Sequence, residues 1–89
     1  MNAKEKFEDL LAHIELVEKT TIIQEELLIE FKMRDGYEYT CGLKPEWNYI
    51  RGSDGYFDEF EDGLLFIEAI YKVAIANING YGLVELKEY

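Results

Sequence analysis

Hydrophobic positions along the chain change period twice, and the changes divide it into elements. Phe7, Leu10, Leu11, Ile14 and Val17 recur at three- and four-residue steps, which predicts a helix over residues 2–18 with one apolar stripe. Asn2 followed by Glu5 has capping-box spacing, and Glu5, Glu8, Asp9, Glu15 and Glu18 fall on the outer face. After Thr20-Thr21 the period drops to two. Leu27, Ile29, Phe31 and Met33 alternate with Leu28, Glu30, Lys32 and Arg34; Tyr37, Tyr39, Cys41 and Leu43 alternate with Glu38, Thr40, Gly42 and Lys44.

The turn between these runs can be tested by register. A two-residue loop at Asp35-Gly36 would send the two apolar sets to opposite faces. A three-residue loop, Arg34-Asp35-Gly36, pairs Met33 with Tyr37, Phe31 with Tyr39, Ile29 with Cys41 and Leu27 with Leu43. It needs a left-handed residue at its third position, where Gly36 stands, so a three-residue loop with a bulge is expected. Thr20–Glu26 either lengthens the first strand or bridges to it. Residues 45–57 are less regular. Trp47, Tyr49 and Ile50 favour a third strand, ending in a turn at Gly52-Ser53-Asp54-Gly55, over a long loop.

A second helix is expected from Asp58 to Ile78. Asp58 and Glu61 again have capping-box spacing, with acids crowding the first turn. Phe60, Leu64, Ile67, Tyr71, Ala74 and Ile78 form one stripe, and Phe66, Ile70 and Val73 a second beside it. So wide an apolar arc means either that the sheet wraps the helix or that part of it is an oligomer contact. Asn79-Gly80 reads as a C-cap and Leu83–Leu86 as a short final strand. The expectation is a single small α+β domain over residues 1–89: an N-terminal helix, an antiparallel hairpin or meander, a long apolar second helix and a C-terminal strand.

Charge narrows the partners. Nineteen acids against nine bases give a net charge of −10 over 89 residues. That surface repels nucleic-acid phosphates and anionic membrane leaflets, and the nine bases are scattered, so neither direct nucleic-acid nor membrane binding is expected. No apolar run approaches the roughly 20 residues of a membrane span. With no secretory-type leader and one reduced thiol, Cys41, a cytoplasmic location is expected.

Enzyme chemistry finds little support. Cys41 falls on the apolar face of its strand as a core residue, and His13, beside the first helix stripe, has no nucleophile or metal-ligand spacing around it. Calcium-loop spacing fails from both Asp54 and Asp58, because Glu59 and Phe60 occupy obligatory places. No catalytic residue, metal or cofactor is expected.

Residues 45–62 hold six acids and one base, a net of −5 and half the total, together with Trp47, Tyr49, Tyr56, Phe57 and Phe60. A solvated helix start explains the acids alone. Aromatics within a charged rim are the composition of protein-binding hot spots. The candidate partner-binding residues are therefore Trp47, Tyr49, Asp54, Tyr56, Phe57, Asp58, Glu59, Glu61 and Asp62.

In size, charge, aromatic content and the Asp54–Asp62 run, the chain resembles the small acidic proteins that bacteriophages make against host defences, of the anti-restriction and anti-CRISPR type. That resemblance implies an inhibitor occupying a basic, nucleic-acid-binding surface of a larger host protein. The competing expectation is a non-enzymatic accessory or assembly subunit that dimerises or docks through its second helix, its acids serving only solubility.

Overall fold

The computed structural model describes residues 1–79 and the strand at 83–87. The first helix, α1, spans Ala3–Ala12. Its capping box forms as the sequence implies: Asn2 Oδ1 accepts from the Glu5 N–H at 2.9 Å, and Glu5 Oε1 accepts from the Asn2 N–H at 3.4 Å. The helix ends earlier than expected, at His13, and passes through a 3-10 turn at Ile14–Leu16 into strand β1, Val17–Ile23. Arg34 holds the chain on this course. Its N–H donates to the Leu16 carbonyl at 3.0 Å and its Nε to the Glu15 carbonyl at 2.8 Å, tying the 3-10 turn to the end of the next strand. Leu10, Ile14 and Val17 are buried regardless, so their spacing did not separate a helix from a helix followed by a strand.

Residues 17–23 are thus a strand in their own right and neither lengthen β2, Leu28–Met33, nor merely bridge to it. The two pair antiparallel, Thr20 opposite Phe31 and Ile22 opposite Ile29. Their turn places Leu27 at φ +53, with its N–H donating to the Gln24 carbonyl at 3.2 Å. A leucine in this left-handed region costs on the order of 1 kcal/mol.

Strand β3, Glu38–Lys44, pairs with β2 in the register deduced from the sequence. Phe31 lies opposite Tyr39 and Ile29 opposite Cys41, while the Met33 N–H donates to Tyr37 O and the Leu43 N–H to Leu27 O. The three-residue loop closes with the Gly36 N–H on the Met33 carbonyl and Gly36 at φ +93. A β-branched residue resists that backbone. Gly36→Val is expected to lose at least about 1 kcal/mol in urea denaturation; full tolerance would contradict the loop geometry.

Strand β4, Trp47–Gly52, is the expected third member of the meander, and β5, Phe57–Glu59, follows it. Helix α2, Phe66–Ala76, then returns the chain across the sheet to β6, Leu83–Lys87, which runs parallel to β1 at the edge. The sheet order is β5-β4-β3-β2-β1-β6. The second helix is shorter than its sequence suggests. Asp58 belongs to β5 and caps nothing in α2, whose N-cap, Leu65, makes no side-chain cap; among the acids only Glu68 lies in its first turn. Pairing of 57–59 with β4, and the Phe60 N–H on the Asn48 carbonyl at 3.1 Å, keep this stretch extended. At the other end Asn77 is the C-cap, before a 3-10 turn at Asn77–Asn79; the Gly80 of the expected cap lies outside the described residues.

The helices cover one face of the sheet. Ile29, Phe31, Cys41, Leu43 and Ile50 meet Ala3, Phe7 and Leu10 of α1 and Ala69 and Val73 of α2, all buried. Phe7 stands edge-on to both Phe31 and Phe60, with ring centroids 6.1 Å apart in each case.

Candidate functional site

The nine candidate residues fall in three places. Trp47 and Tyr49 on β4 and Phe57 on β5 share the sheet face that no helix covers. Tyr49 lies opposite both Gly42 and Glu59, and Phe57 opposite Arg51. A Cβ at Gly42 would collide with the Tyr49 ring, so the absent side chain is what lets that ring lie over β3. Centroids are 4.6 Å apart for Trp47–Tyr49 and 5.6 Å for the stacked Tyr49–Phe57 pair. Trp47 and Phe57 remain 51% and 47% exposed, a half-solvated aromatic surface.

Asp54, Tyr56 and Asp58 are engaged in holding the fold. The loops at 34–36 and 53–55 are built alike. In each, an Asp Oδ1 accepts the N–H of the Tyr two residues on, Asp35 from Tyr37 at 3.0 Å and Asp54 from Tyr56 at 3.1 Å, and each glycine has positive φ. The loops also join each other. Tyr37 OH donates to Asp54, Ser53 N–H to the Glu38 carbonyl at 2.9 Å, and Glu38 N–H to Ser53 Oγ at 3.2 Å. Tyr56 OH donates to the Met1 carbonyl at 3.1 Å, and Asp58 Oδ2 accepts the Ala3 N–H at 2.8 Å, tying β5 to the start of α1. Sequence reasoning missed Tyr37; the repeated Asp-Gly-Tyr at 35–37 and 54–56 was the signal that could have found it.

The Tyr37–Asp54 contact sets a pH window. Donation to Asp54 pushes the Tyr37 phenol up to about 12, while that same bond, followed by the Tyr56 N–H, holds the Asp54 carboxyl below its ordinary value. The raised phenol contributes stability that is complete below about pH 10 and lost as pH rises through about 12. The lowered carboxyl contributes stability that is present above about pH 4 and lost as pH falls through its lowered value. In an ultraviolet titration, a phenol is expected to ionise near 12, and Asp54→Asn should return it toward about 10. A profile unchanged by Asp54→Asn would contradict the contact. Tyr56 is also raised, first by burial and then by Asp58, so it too ionises late.

The third place is a cleft of about 240 Å3 between α1, the 59–64 connection and α2. Glu59, Glu61 and Asp62 line it together with Glu8 of α1 and Glu68 of α2; Lys4 and Lys72 supply the only basic groups of the lining. Asn48 fixes the connection: its Oδ1 accepts the Leu64 N–H at 2.6 Å and its Nδ2 donates to the Leu64 carbonyl at 2.9 Å. Glu8, Glu68 and Asn48 were missed because only the packing of α1 against α2 and of β4 against the connection brings them here: Glu8 lies 51 to 60 positions from the other acids, and Asn48 16 positions from Leu64. Among the described residues, no group of three or more His, Cys, Asp or Glu side chains is arranged to hold a metal ion.

Cys41 is completely buried and its thiol is pushed up by burial, which suits a core residue. His13 is exposed, with Nδ1 3.2 Å from an Asp9 carboxylate oxygen. No helix among the described residues is long and apolar enough to cross a membrane. Compared with protein-family models, curated proteins and solved structures, the chain matches none.

Proposed function

We propose that the protein is a non-catalytic, acidic binding module that docks its cleft on a basic, nucleic-acid-binding surface of a larger protein and inhibits it by charge mimicry. The observation that carries this reading is the gathering of Glu8, Glu59, Glu61, Asp62 and Glu68 around one cleft. Five carboxylates face two lysines there, and among the described residues neither lysine forms an ion pair with any of them. Concentrated charge of one sign steers a partner of the other and takes the place that phosphates would occupy. Trp47 and Phe57, on the face that Glu59 adjoins, supply aromatic anchors beside the acids. Resemblance to small acidic phage inhibitors supports a host defence protein as the target class, met in the host cytoplasm.

The test is capture of partners from bacterial lysate at low and raised salt, with a Glu59→Lys/Glu61→Lys/Asp62→Lys variant alongside. Exposed charges are screened beyond roughly 8 Å at physiological salt. The expected result is a basic, nucleic-acid-handling protein lost with salt and lost in the variant. A partner retained through both would overturn the reading. Asp58 is left unchanged, because its reversal would remove the bond to Ala3 and confuse loss of binding with loss of fold.

The assembly-subunit reading has one specific observation in its favour, the apolar side chains that α2 leaves in solvent.

A further inference from the structure

Helix α2 buries Ala69 and Val73 and turns a second apolar side outward. Ile67, Tyr71, Ile75 and Ile78, at steps of four, four and three, are 67%, 69%, 60% and 79% exposed, and Leu65 at the helix start is 61% exposed. Solitary exposed apolar residues are ordinary on a protein surface; a continuous stripe is not. We infer that this stripe is the interface of a symmetric homodimer, in which α2 packs antiparallel against α2 of a second copy.

Three features select a second copy as the occupant. The first is area. Taking ~150–250 Å2 for a large side chain, five residues exposed to this degree offer on the order of 600 Å2, which with its rim approaches the roughly 800 Å2 that each partner of a stable specific complex contributes. The second is charge. Residues 65–78 contain one acid, Glu68, and one base, Lys72, and are neutral in a chain of net charge −10. A basic partner would find no net charge to meet there, whereas two copies can approach on this side without local repulsion.

The third feature is self-complementarity. About a two-fold axis passing beside Tyr71, Ile67 and Ile75 lie at equal distances of about 6 Å along the helix, so each faces the other residue of the second copy. Glu68 and Lys72 flank the same shallow groove as Leu65, Ile67, Tyr71 and Ile75. The same axis brings Glu68 of one copy alongside Lys72 of the other, on the same flank of the stripe. This inference does not depend on the acidic cleft binding anything. If both hold, the dimer carries two acidic clefts on either side of the α2 pair.

Sedimentation velocity on the full chain, over micromolar to sub-millimolar concentration, tests the inference. The expected species has twice the chain mass, and Ile75→Glu is expected to weaken it at least ~10-fold. In the otherwise native chain, Tyr71→Cys should form a cross-linked dimer on mild oxidation, because the two-fold brings the two thiols together; buried Cys41 does not compete. A monomer at every concentration would overturn the inference. So would a dimer indifferent to Ile75→Glu, a series of larger polymers, or a Tyr71→Cys chain that dimerises without cross-linking.

Discussion

Phe31→Ala is expected to destabilise the protein by about 3–5 kcal/mol, the largest effect of any single replacement considered for this chain. Phe31 has no exposed surface and sits centrally on β2, opposite Thr20 on one side and Tyr39 on the other, with Phe7 of α1 edge-on to its ring. Removing the ring costs the transfer free energy of the lost atoms and leaves a cavity that a β-sheet backed by two short helices can close only in part. An 89-residue domain has a total stability of about 5–13 kcal/mol, so the variant is expected to be largely unfolded at moderate urea and partly unfolded at 37 °C. Urea denaturation followed by circular dichroism measures it. A loss below about 1 kcal/mol would mean that the sheet–helix core is not organised around this ring.

Asp58→Ala should cost about 1–3 kcal/mol through polar contacts instead of packing. The carboxylate accepts the N–H of Ala3, the first residue of α1, which is itself fully buried, and an N–H at a helix start left without a partner cannot be resatisfied cheaply by water. The bond joins residues 55 positions apart and anchors α1 to the edge strand β5. Asp58→Asn keeps an acceptor oxygen and should restore part of the loss. Chemical denaturation of the three proteins decides the matter; equal stability of wild type and Asp58→Ala would remove this residue from the fold's supports. As the cap of the second helix that the sequence suggested, Asp58 would lose a similar ~0.5–2 kcal/mol on replacement by Ala, but by fraying α2 and not by releasing the start of α1 from β5.

That contrast shows where the sequence was informative. The β2–β3 register followed from the requirement that Phe31, Ile29 and Leu27 share a face with Tyr39, Cys41 and Leu43, and the glycine needed by the loop stood at the right place. The capping box of α1 and the final edge strand were legible for similar local reasons. The turn between β1 and β2 was not, because a leucine holds the left-handed position where Gly or Asn would have marked it. The Asp58–Glu61 spacing imitated a helix cap because capping boxes and acidic hairpin ends draw on the same residues. The acidic run was visible as composition, but its division was not: Asp54 joins the two hairpin loops through Tyr37, Asp58 turns to the start of α1, and Glu59, Glu61 and Asp62 meet Glu8 from the far end of the sequence.

The exposed apolar stripe of α2 completes this picture. The sequence left open whether the sheet covers the second helix or whether part of it meets another molecule. Ala69 and Val73 are buried and Phe66, Ile70 and Ala76 partly buried, while Ile67, Tyr71 and Ile75 stand in solvent, so the described residues cover one side of the helix.

The central proposal is that carboxylates of the cleft occupy a surface otherwise used for nucleic acid. Competition measures this most directly. The captured basic protein, bound to a fluorescently labelled nucleic acid, is titrated with the wild-type chain and with the Glu59→Lys/Glu61→Lys/Asp62→Lys variant, and anisotropy is followed. Full displacement by the wild type, with at least a ~10-fold loss of potency in the variant, is the result the proposal requires. A ternary complex in which the nucleic acid stays bound, or equal displacement by the variant, would contradict it.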